Sequence, residues 1–181
     1  MHAQDLPPLF APPGMWTNDN WFVQDGDVFH AFYLQVPAAI GEPGDWSRRE
    51  GWQHVGHATS TDLIHWADHG PALVAVRRTW NDLSIATGSI TRFDDRWWMV
   101  FTAHGQAPGV GLAMSDDLMS WTKVGDGPVI PFSQPYEGLW QGQPLQWRGC
   151  ADPYIYPELI DGWHYLILNS QAVGAPLEQS G

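Results

Sequence analysis

The feature that most constrains the fold of this chain is an internal repeat with a spacing of about 55 residues. The segment Gly56–Trp66 reads Gly-His-Ala-Thr-Ser-Thr-Asp-Leu-Ile-His-Trp, and Gly111–Trp121 reads Gly-Leu-Ala-Met-Ser-Asp-Asp-Leu-Met-Ser-Trp. Six of the eleven positions are identical, and a Gly-Pro pair follows each copy. Chance is a poor explanation for this agreement, so one structural unit occurs more than once.

A second pattern accompanies the repeat, in which a short turn sequence precedes an apolar run. It occurs three times: Asp25-Gly26-Asp27 before Val28–Leu34, Asp94-Asp95-Arg96 before Trp97–Ala103, and Asp161-Gly162 before Trp163–Leu168. Each occurrence predicts a hairpin that feeds a buried strand. Because no segment has sustained helical periodicity with caps, helices are expected only as single turns.

A repeating unit of about four strands is typical of a β-propeller blade. We therefore predict an all-β propeller, with blade one at about 17–76, blade two at about 84–132 and the start of blade three at about 149–181. Propellers have four to eight blades, so residues 1–181 are expected to form the N-terminal two and a half blades of a larger ring.

Composition excludes several classes of function. Eight Lys and Arg against 20 Asp and Glu give a net charge of −12, which argues against nucleic-acid and anionic-membrane partners. No apolar run approaches the roughly 18 residues of a membrane helix, and the single Cys150 cannot form an internal disulfide or a Cys-rich zinc site. His57 and His65 are predicted to make interstrand hydrogen bonds, and no metal or cofactor is expected. The N-terminus lacks the features of a signal peptide, so a cytoplasmic location is expected, although a trimmed secreted form would look the same.

Polar residues stand at the predicted entrances of the innermost strands. Trp16–Asn20 precedes the first strand pair, Ala86–Ser89 holds the equivalent place in blade two, and Ala151–Pro153 does so in blade three. Asn-Asp and Asp-Pro are also common turn sequences. If the innermost strands line the central channel, however, two carboxylates face one cavity, which is what glycoside hydrolysis needs.

These motifs, in this order, resemble glycoside hydrolase family 32, the group of invertases, levanases and inulinases. The matching segments are Trp16–Asp19 with Trp-Met-Asn-Asp-Pro, Phe32–Gln35 with Phe-Tyr-Gln, Gly56–Trp66 with Gly-His-Ala-x-Ser-x-Asp-Leu-x-x-Trp, Thr87–Ser89 with Ser-Gly-Ser, and Ala151–Pro153 with Arg-Asp-Pro. The resemblance implies a five-bladed propeller glycosidase, of the type shared with families 43 and 68.

The resemblance also implies roles for individual residues. Asp19 would be the catalytic nucleophile, and Asp152 would stabilise the oxocarbenium-like transition state. Asn18, Gln35 and Thr87 would bind sugar hydroxyls, and Trp52, in preference to Trp46, would stack on a sugar face.

The chain departs from the family pattern at positions that bear on the substrate. Asn20 replaces the proline after Asp19, and Ala151 replaces the arginine before Asp152, with Arg148 nearby but displaced. The substrate is therefore expected to be an O-glycoside, with β-fructofuranosides as one class.

The general acid/base of the family is a glutamate in a Glu-Cys box, which would fall beyond Gly181. Glu137 and Glu158 are the substitutes within the chain, and both are expected on outer loops. Two other interpretations remain: a carbohydrate-binding propeller fragment without a working acid/base, and a structural fragment that folds only with a partner. Open blade edges would also allow self-association.

Overall fold

The computed structural model describes residues 10–40, 51–132, 139–140, 143–144 and 151–169. Within these ranges the secondary structure is β throughout. No helix that could cross a membrane occurs among the described residues. The described part of the chain is thus built from strands, as the sequence predicts.

The first half of the described chain forms one antiparallel sheet in sequential order. Its strands are β1 (Met15–Asp25), β2 (Val28–Pro37), β3 (His54–Ser60) and β4 (Ala67–Leu73). The apolar run that begins at Val28 becomes β2, which is buried from His30 to Val36 because strands cover it on both sides. This sheet has the strand order expected of a propeller blade.

The next segment repeats the arrangement. Its strands are β5 (Ser84–Phe93), β6 (Arg96–His104), β7 (Gly109–Ser115) and β8 (Thr122–Lys123), and β9 (Ile130–Pro131) also pairs with β7. Two short hairpins follow, formed by β10 (Leu139–Trp140) with β11 (Gln143–Pro144) and by β12 (Ala151–Ile155) with β13 (Leu166–Asn169). The predicted blade limits stay predictions, since several stretches inside them lie outside the described residues.

The 55-residue repeat is confirmed at the level of individual hydrogen bonds. Ser60 ends β3 and Ser115 ends β7, and each hydroxyl oxygen accepts from the amides two and three residues later, at 3.1 and 2.8 Å and at 3.2 and 2.9 Å respectively. The indoles of Trp66 and Trp121 each donate to the carbonyl three residues earlier, at 3.3 and 3.1 Å. The two copies therefore fold into the same turn on equivalent strands.

The main core lies between the first two sheets. Phe32 of β2 and Phe101 of β6 are fully buried in one cluster, which also contains Leu118 from the second copy of the repeat. Trp121 packs edge-on against Phe32, with ring centroids 5.7 Å apart. A smaller cluster joins the second sheet to β12 through Ile155. Burial of these apolar side chains holds the successive sheets side by side.

The predicted hairpin turns are present, and their backbone explains their sequence. Asp94 and Asp95 have φ of 51° and 59°, and the turn between Ile160 and Trp163 contains Asp161 with φ of 52° and Gly162 with φ of 82°. Aspartate and glycine tolerate this left-handed conformation better than most residues.

Two expectations are wrong in part. The third apolar run does not form a buried strand from Trp163, because β13 begins at Leu166 and Trp163 is 71% exposed. No described residue covers that face of the hairpin. His57 makes the predicted interstrand bond, to His30 at 2.9 Å, but His65 bonds Asp62 within its own turn at 2.7 Å.

Candidate active site

Asp19 sits at an irregularity in β1. Asn18 pairs with Leu34 and Asn20 pairs with Tyr33, so the residue between them has no partner in the ladder. Asp19 adopts a left-handed φ of 40° there. The motif was expected just before the first strand, but β1 begins at Met15, and the motif lies inside it. A bulge of this kind redirects a side chain that a regular strand would hold in alternation.

The same irregularity occurs on the innermost strand of each of the next two units. On β5 the register shifts between Ile85 and Gly88, which leaves Ala86 and Thr87 outside the ladder. On β12 it shifts between Ala151 and Tyr154, and Asp152 has a left-handed φ of 53°. Three equivalent bulges therefore present the residues that the sequence singled out.

A hydrogen bond joins two of these bulges. The hydroxyl Oγ1 of Thr87 donates to Oδ2 of Asp19 at 2.5 Å, from one sheet to the next. Strand β5 contacts both β1 and β12, which puts the three bulged strands side by side. Asp19 and Asp152 are both exposed, so a ligand can reach their carboxylates. Oδ1 of Asp19 has no hydrogen-bond partner among the described residues.

Gly88 is required for the approach of these strands. A Cβ at this position would lie 2.1 Å from the main-chain oxygen of Val100 on β6. Because real Cβ atoms never come this close to a carbonyl, only glycine allows β5 to bulge here and still pair with β6. The Thr-Gly-Ser sequence thus fixes Thr87 at its place beside Asp19.

Gln35 is held in a buried network next to the first bulge. It lies opposite Thr17 of β1 and is 1% exposed. Its amide Nε2 is 3.1 Å from Nε2 of His54, whose Nδ1 is 3.3 Å from the carbonyl oxygen of Trp52. If Nδ1–H donates to that carbonyl, Nε2 accepts from the amide of Gln35. Burial lowers the pKa of His54, which fits this neutral tautomer.

Two buried oxygen atoms near this network lack partners. Oδ1 of Asn18 and Oε1 of Gln35 have no hydrogen-bond donor among the described residues. Unpaired buried acceptors are uncommon in folded proteins, and they cluster where a ligand or water completes the site. Both residues were predicted to bind sugar hydroxyls, which are donors.

The remaining predicted residues are divided between exposed positions and stretches outside the described residues. Trp52 is 58% exposed, so its indole face is free to stack. Trp46, Glu137 and Arg148 lie outside the described residues. Glu158 lies on an exposed turn of the β12–β13 hairpin. Sequence reasoning missed His54, because a lone histidine next to a Trp-Gln pair carries no recognisable spacing.

Comparison with known proteins decides the family. The family model described as the glycosyl hydrolases family 32 N-terminal domain matches residues 10–173. The chain belongs to glycosyl hydrolase family 32. Among curated proteins, the sucrose-6-phosphate hydrolase of Escherichia coli is 33% identical over 162 residues, which are 79% of this chain and 31% of that protein. The chain thus spans about a third of the length of this family 32 relative.

Solved structures agree with the family 32 assignment at the level of the fold. The β-fructofuranosidase from Schwanniomyces occidentalis complexed with fructosyl-erythritol gives a TM-score of 0.65 at 21% identity, covering 88% of this chain and 30% of that chain. An α-L-arabinofuranosidase from Clostridium thermocellum gives 0.56 at 19% identity, covering 82% and 45%. The all-β fold of the glycosidase propellers is confirmed for this chain.

Proposed function

We propose that this chain carries the nucleophile and the transition-state stabiliser of a family 32 glycosidase, which are Asp19 and Asp152. The observation that carries the proposal is the hydrogen bond from Thr87 to Asp19, together with the bulge that each of the three innermost strands forms. On this basis we propose that the two carboxylates and the hydroxyl face one exposed region, where a single sugar ring could contact all three.

The proposed chemistry follows from the free oxygen of Asp19. Thr87 engages Oδ2, so Oδ1 attacks the anomeric carbon while the bond to the leaving oxygen breaks. A general acid supplies the proton to that oxygen, and water later releases the sugar from Asp19. Asp152 would accept hydrogen bonds from sugar hydroxyls, and these strengthen as positive charge develops on the ring.

The neighbouring residues would bind the ground state and orient it. The unpaired oxygen atoms of Asn18 and Gln35 suit sugar hydroxyl donors, because each bond would relieve a buried unsatisfied acceptor. The exposed indole of Trp52 offers an apolar face to the ring. These contacts are the kind that set specificity among sugars.

Glu158 is a poor candidate for the general acid. It lies in the turn that follows β12, whereas Asp152 lies at the start of that strand, and the strand residues between them span roughly 10 Å. Retaining glycosidases place the two carboxyl groups only about 5 Å apart. We therefore do not assign the acid/base to Glu158, and we keep as our proposal the expectation from the family pattern, a glutamate beyond Gly181.

The substrate class we favour is the β-fructofuranosides. Curated relatives include a sucrose-6-phosphate hydrolase and a raffinose invertase from Escherichia coli, and an extracellular exo-inulinase from Aspergillus niger. Sucrose, its 6-phosphate, raffinose and inulin share a β-fructofuranosyl group. Hydrolysis of this bond is accordingly the first activity to test.

The alternative is a carbohydrate-binding protein that keeps the site but lacks the acid. One observation favours this alternative. Glu158 is the only glutamate among the described residues, and its position does not suit a general acid. In both cases the partner is a carbohydrate. Self-association through the exposed apolar face of the β12–β13 hairpin is a further proposal, and the Discussion gives its test.

The test of the proposed function is a comparison of matched variants in the polypeptide extended through the remaining blades. Release of reducing sugar from sucrose and inulin should fall at least 10³-fold in Asp19→Asn, as expected when a catalytic group is removed. Asp25→Asn makes the same charge change at the far end of β1 and should retain activity. Equal activity of the two variants would refute the assignment of Asp19. Sugar binding without turnover in the unmodified protein would instead favour the carbohydrate-binding alternative.

A further inference from the structure

Three of the five basic residues that the structure describes lie around two cavities of this acidic protein. The chain has 8 basic residues against 20 acidic ones, yet Arg77, Arg78 and Lys123 lie around adjacent cavities between the first and second sheets. None of the three makes an ion pair with a carboxylate among the described residues. Arg77 and Arg78 are exposed and Lys123 is half-buried, so the three cations place positive charge at the edges of these cavities, which favours an anionic ligand.

Lys123 is the most constrained of these cations. Its ammonium donates to the carbonyl oxygen of Val74 at 2.6 Å and to Oδ1 of Asn81 at 3.0 Å. Both acceptors are neutral, and burial lowers the pKa of Lys123. An ammonium has three N–H groups, so one donor remains on a side chain that lines the cavity.

Asn81 adds a second unused donor to the wall of the cavity. Its side chain is fully buried, and its Oδ1 accepts from the ammonium of Lys123, which can only donate. This pattern assigns Nδ2 as the free end, and Nδ2 has no partner among the described residues. The cavity has a volume of about 690 Å³, and Asp126 is the one carboxylate among its described lining residues.

Arg78 stands at the same cavity in a backbone conformation that arginine rarely adopts. Its φ is 66°, and the turn is closed by the amide and the hydroxyl of Thr79, which donate to the carbonyl oxygen of Val76 at 3.2 and 2.7 Å. A non-glycine side chain is strained in this region. Such conformations persist where the side chain they present has a use.

From this geometry we propose that the cavity binds a phosphate group carried by a sugar-sized molecule. Guanidinium and ammonium groups are the main protein donors to phosphate. The volume lies within the range of small-molecule sites and exceeds what a bare ion fills. The hydroxyl of Thr79 and the amide of Gln106 line the same cavity and can bind sugar hydroxyls. Asp19, Thr87 and Gln35 are not among the described residues that line this cavity. Binding of a phosphate here therefore does not depend on the proposed hydrolysis.

The experiment is a calorimetric titration of the protein with fructose 6-phosphate, inorganic phosphate and fructose. We expect fructose 6-phosphate to bind, and its dissociation constant to rise at least tenfold in Lys123→Met, as loss of a charge-assisted bond predicts. Arg78→Gly should weaken binding similarly while relieving the backbone, which keeps the test valid if Lys123→Met folds poorly. Arg96→Gln removes an exposed cation from the far end of β6 and should change nothing.

Each outcome decides the matter. Equal binding of fructose and its phosphate, or unchanged affinity in both cavity variants, would overturn the proposal. Inorganic phosphate that binds as tightly as the sugar phosphate would assign the cavity to free phosphate. Asp19→Asn should leave this binding intact, so failure here and failure of the proposed hydrolysis are distinguishable.

Discussion

At the scale of single residues, the candidate site depends on aspartates in a backbone state that most residues avoid. Asp19 and Asp152 have φ of 40° and 53°, and aspartate is one of the few side-chain-bearing residues enriched in this region. The sequence could place both aspartates in motifs, because motif order is local information. It could not place Thr87 against Asp19, because that contact depends on how two sheets pack.

Removal of the Thr87 hydroxyl tests that contact. Thr87→Val keeps the shape of the side chain but loses the donor to Asp19, so the carboxylate should lose its fixed orientation. In the polypeptide extended through the remaining blades, for which we propose hydrolysis, we expect kcat to fall about tenfold or more, with a small change in KM, since misplaced reacting groups are costly. Thr122→Val, an exposed change on β8, is the matched control. Unaltered kcat in Thr87→Val would show that the contact does not orient the nucleophile.

The histidine pair in the first sheet predicts an acid-sensitive fold. His57 and His30 are buried and hydrogen-bonded to each other at 2.9 Å. Burial lowers the pKa of both, that of His57 to about 3, with His30 and His69 contributing to the latter, while Asp117 and Asp68 oppose it. The unfolded chain has histidines of pKa near 6.5. As the pH falls below 6.5 the unfolded state binds protons that the folded state does not, so stability decreases.

The free energy of unfolding should therefore fall with pH between 7 and 5, by up to about 1.4 kcal/mol per pH unit for each buried histidine. Urea unfolding at several pH values measures this slope. His57→Gln should flatten it, whereas His65→Gln, which changes an exposed imidazole, should not. A slope that stays the same in both variants would contradict the assignment to the buried pair.

At the scale of elements, the repeat was predictable because its turn is made by its own residues. Ser60 and Ser115 each bond the amides that follow, and those bonds need no distant partner. The bulges were not predictable, because they exist only in the register between neighbouring strands. The sequence also could not predict how deeply each copy of the repeat is buried. Leu118 is fully buried between the sheets, whereas Leu63, at the equivalent position of the first copy, is 53% exposed.

This difference between the copies predicts unequal costs for the same substitution. Ser115→Ala leaves a buried amide of Leu118 without an acceptor in the core, while Ser60→Ala affects an amide nearer solvent. We expect Ser115→Ala to lower the free energy of unfolding by about 1–3 kcal/mol, and Ser60→Ala by clearly less. Denaturant midpoints of the two variants measure the difference. Equal losses would mean that the turn, and not its packing, determines the cost.

At the scale of the whole molecule, the described hairpin β12–β13 presents apolar side chains to solvent. Trp163 is 71%, Ile167 is 55% and Tyr165 is 47% exposed. In a closed propeller a neighbouring blade would cover such a face. Contiguous exposed apolar surface of this kind favours association.

We expect the 181-residue chain to self-associate in a concentration-dependent way, as sedimentation velocity can measure. Trp163→Ser should reduce the association, whereas Trp52→Ser, which changes an exposed tryptophan at the candidate site, should not. A chain that stays monomeric at high concentration would contradict this expectation.

The same chain should hydrolyse sucrose poorly. We propose that the general acid lies beyond Gly181, and a positioned general acid contributes about 10²- to 10⁴-fold. Efficient turnover of sucrose by the 181-residue chain would contradict that placement of the acid.

The most direct test of the central claim is covalent labelling of the nucleophile with β-fructofuranosyl fluoride. Fluoride leaves without protonation, so attack by Asp19 does not need a general acid, and the glycosyl intermediate should accumulate where no general base activates water. Peptide mass spectrometry of the acid-quenched protein should then find one sugar on the peptide that contains Asp19, and none in Asp19→Asn. A sugar attached at Asp152, or labelling that persists in Asp19→Asn, would contradict the account.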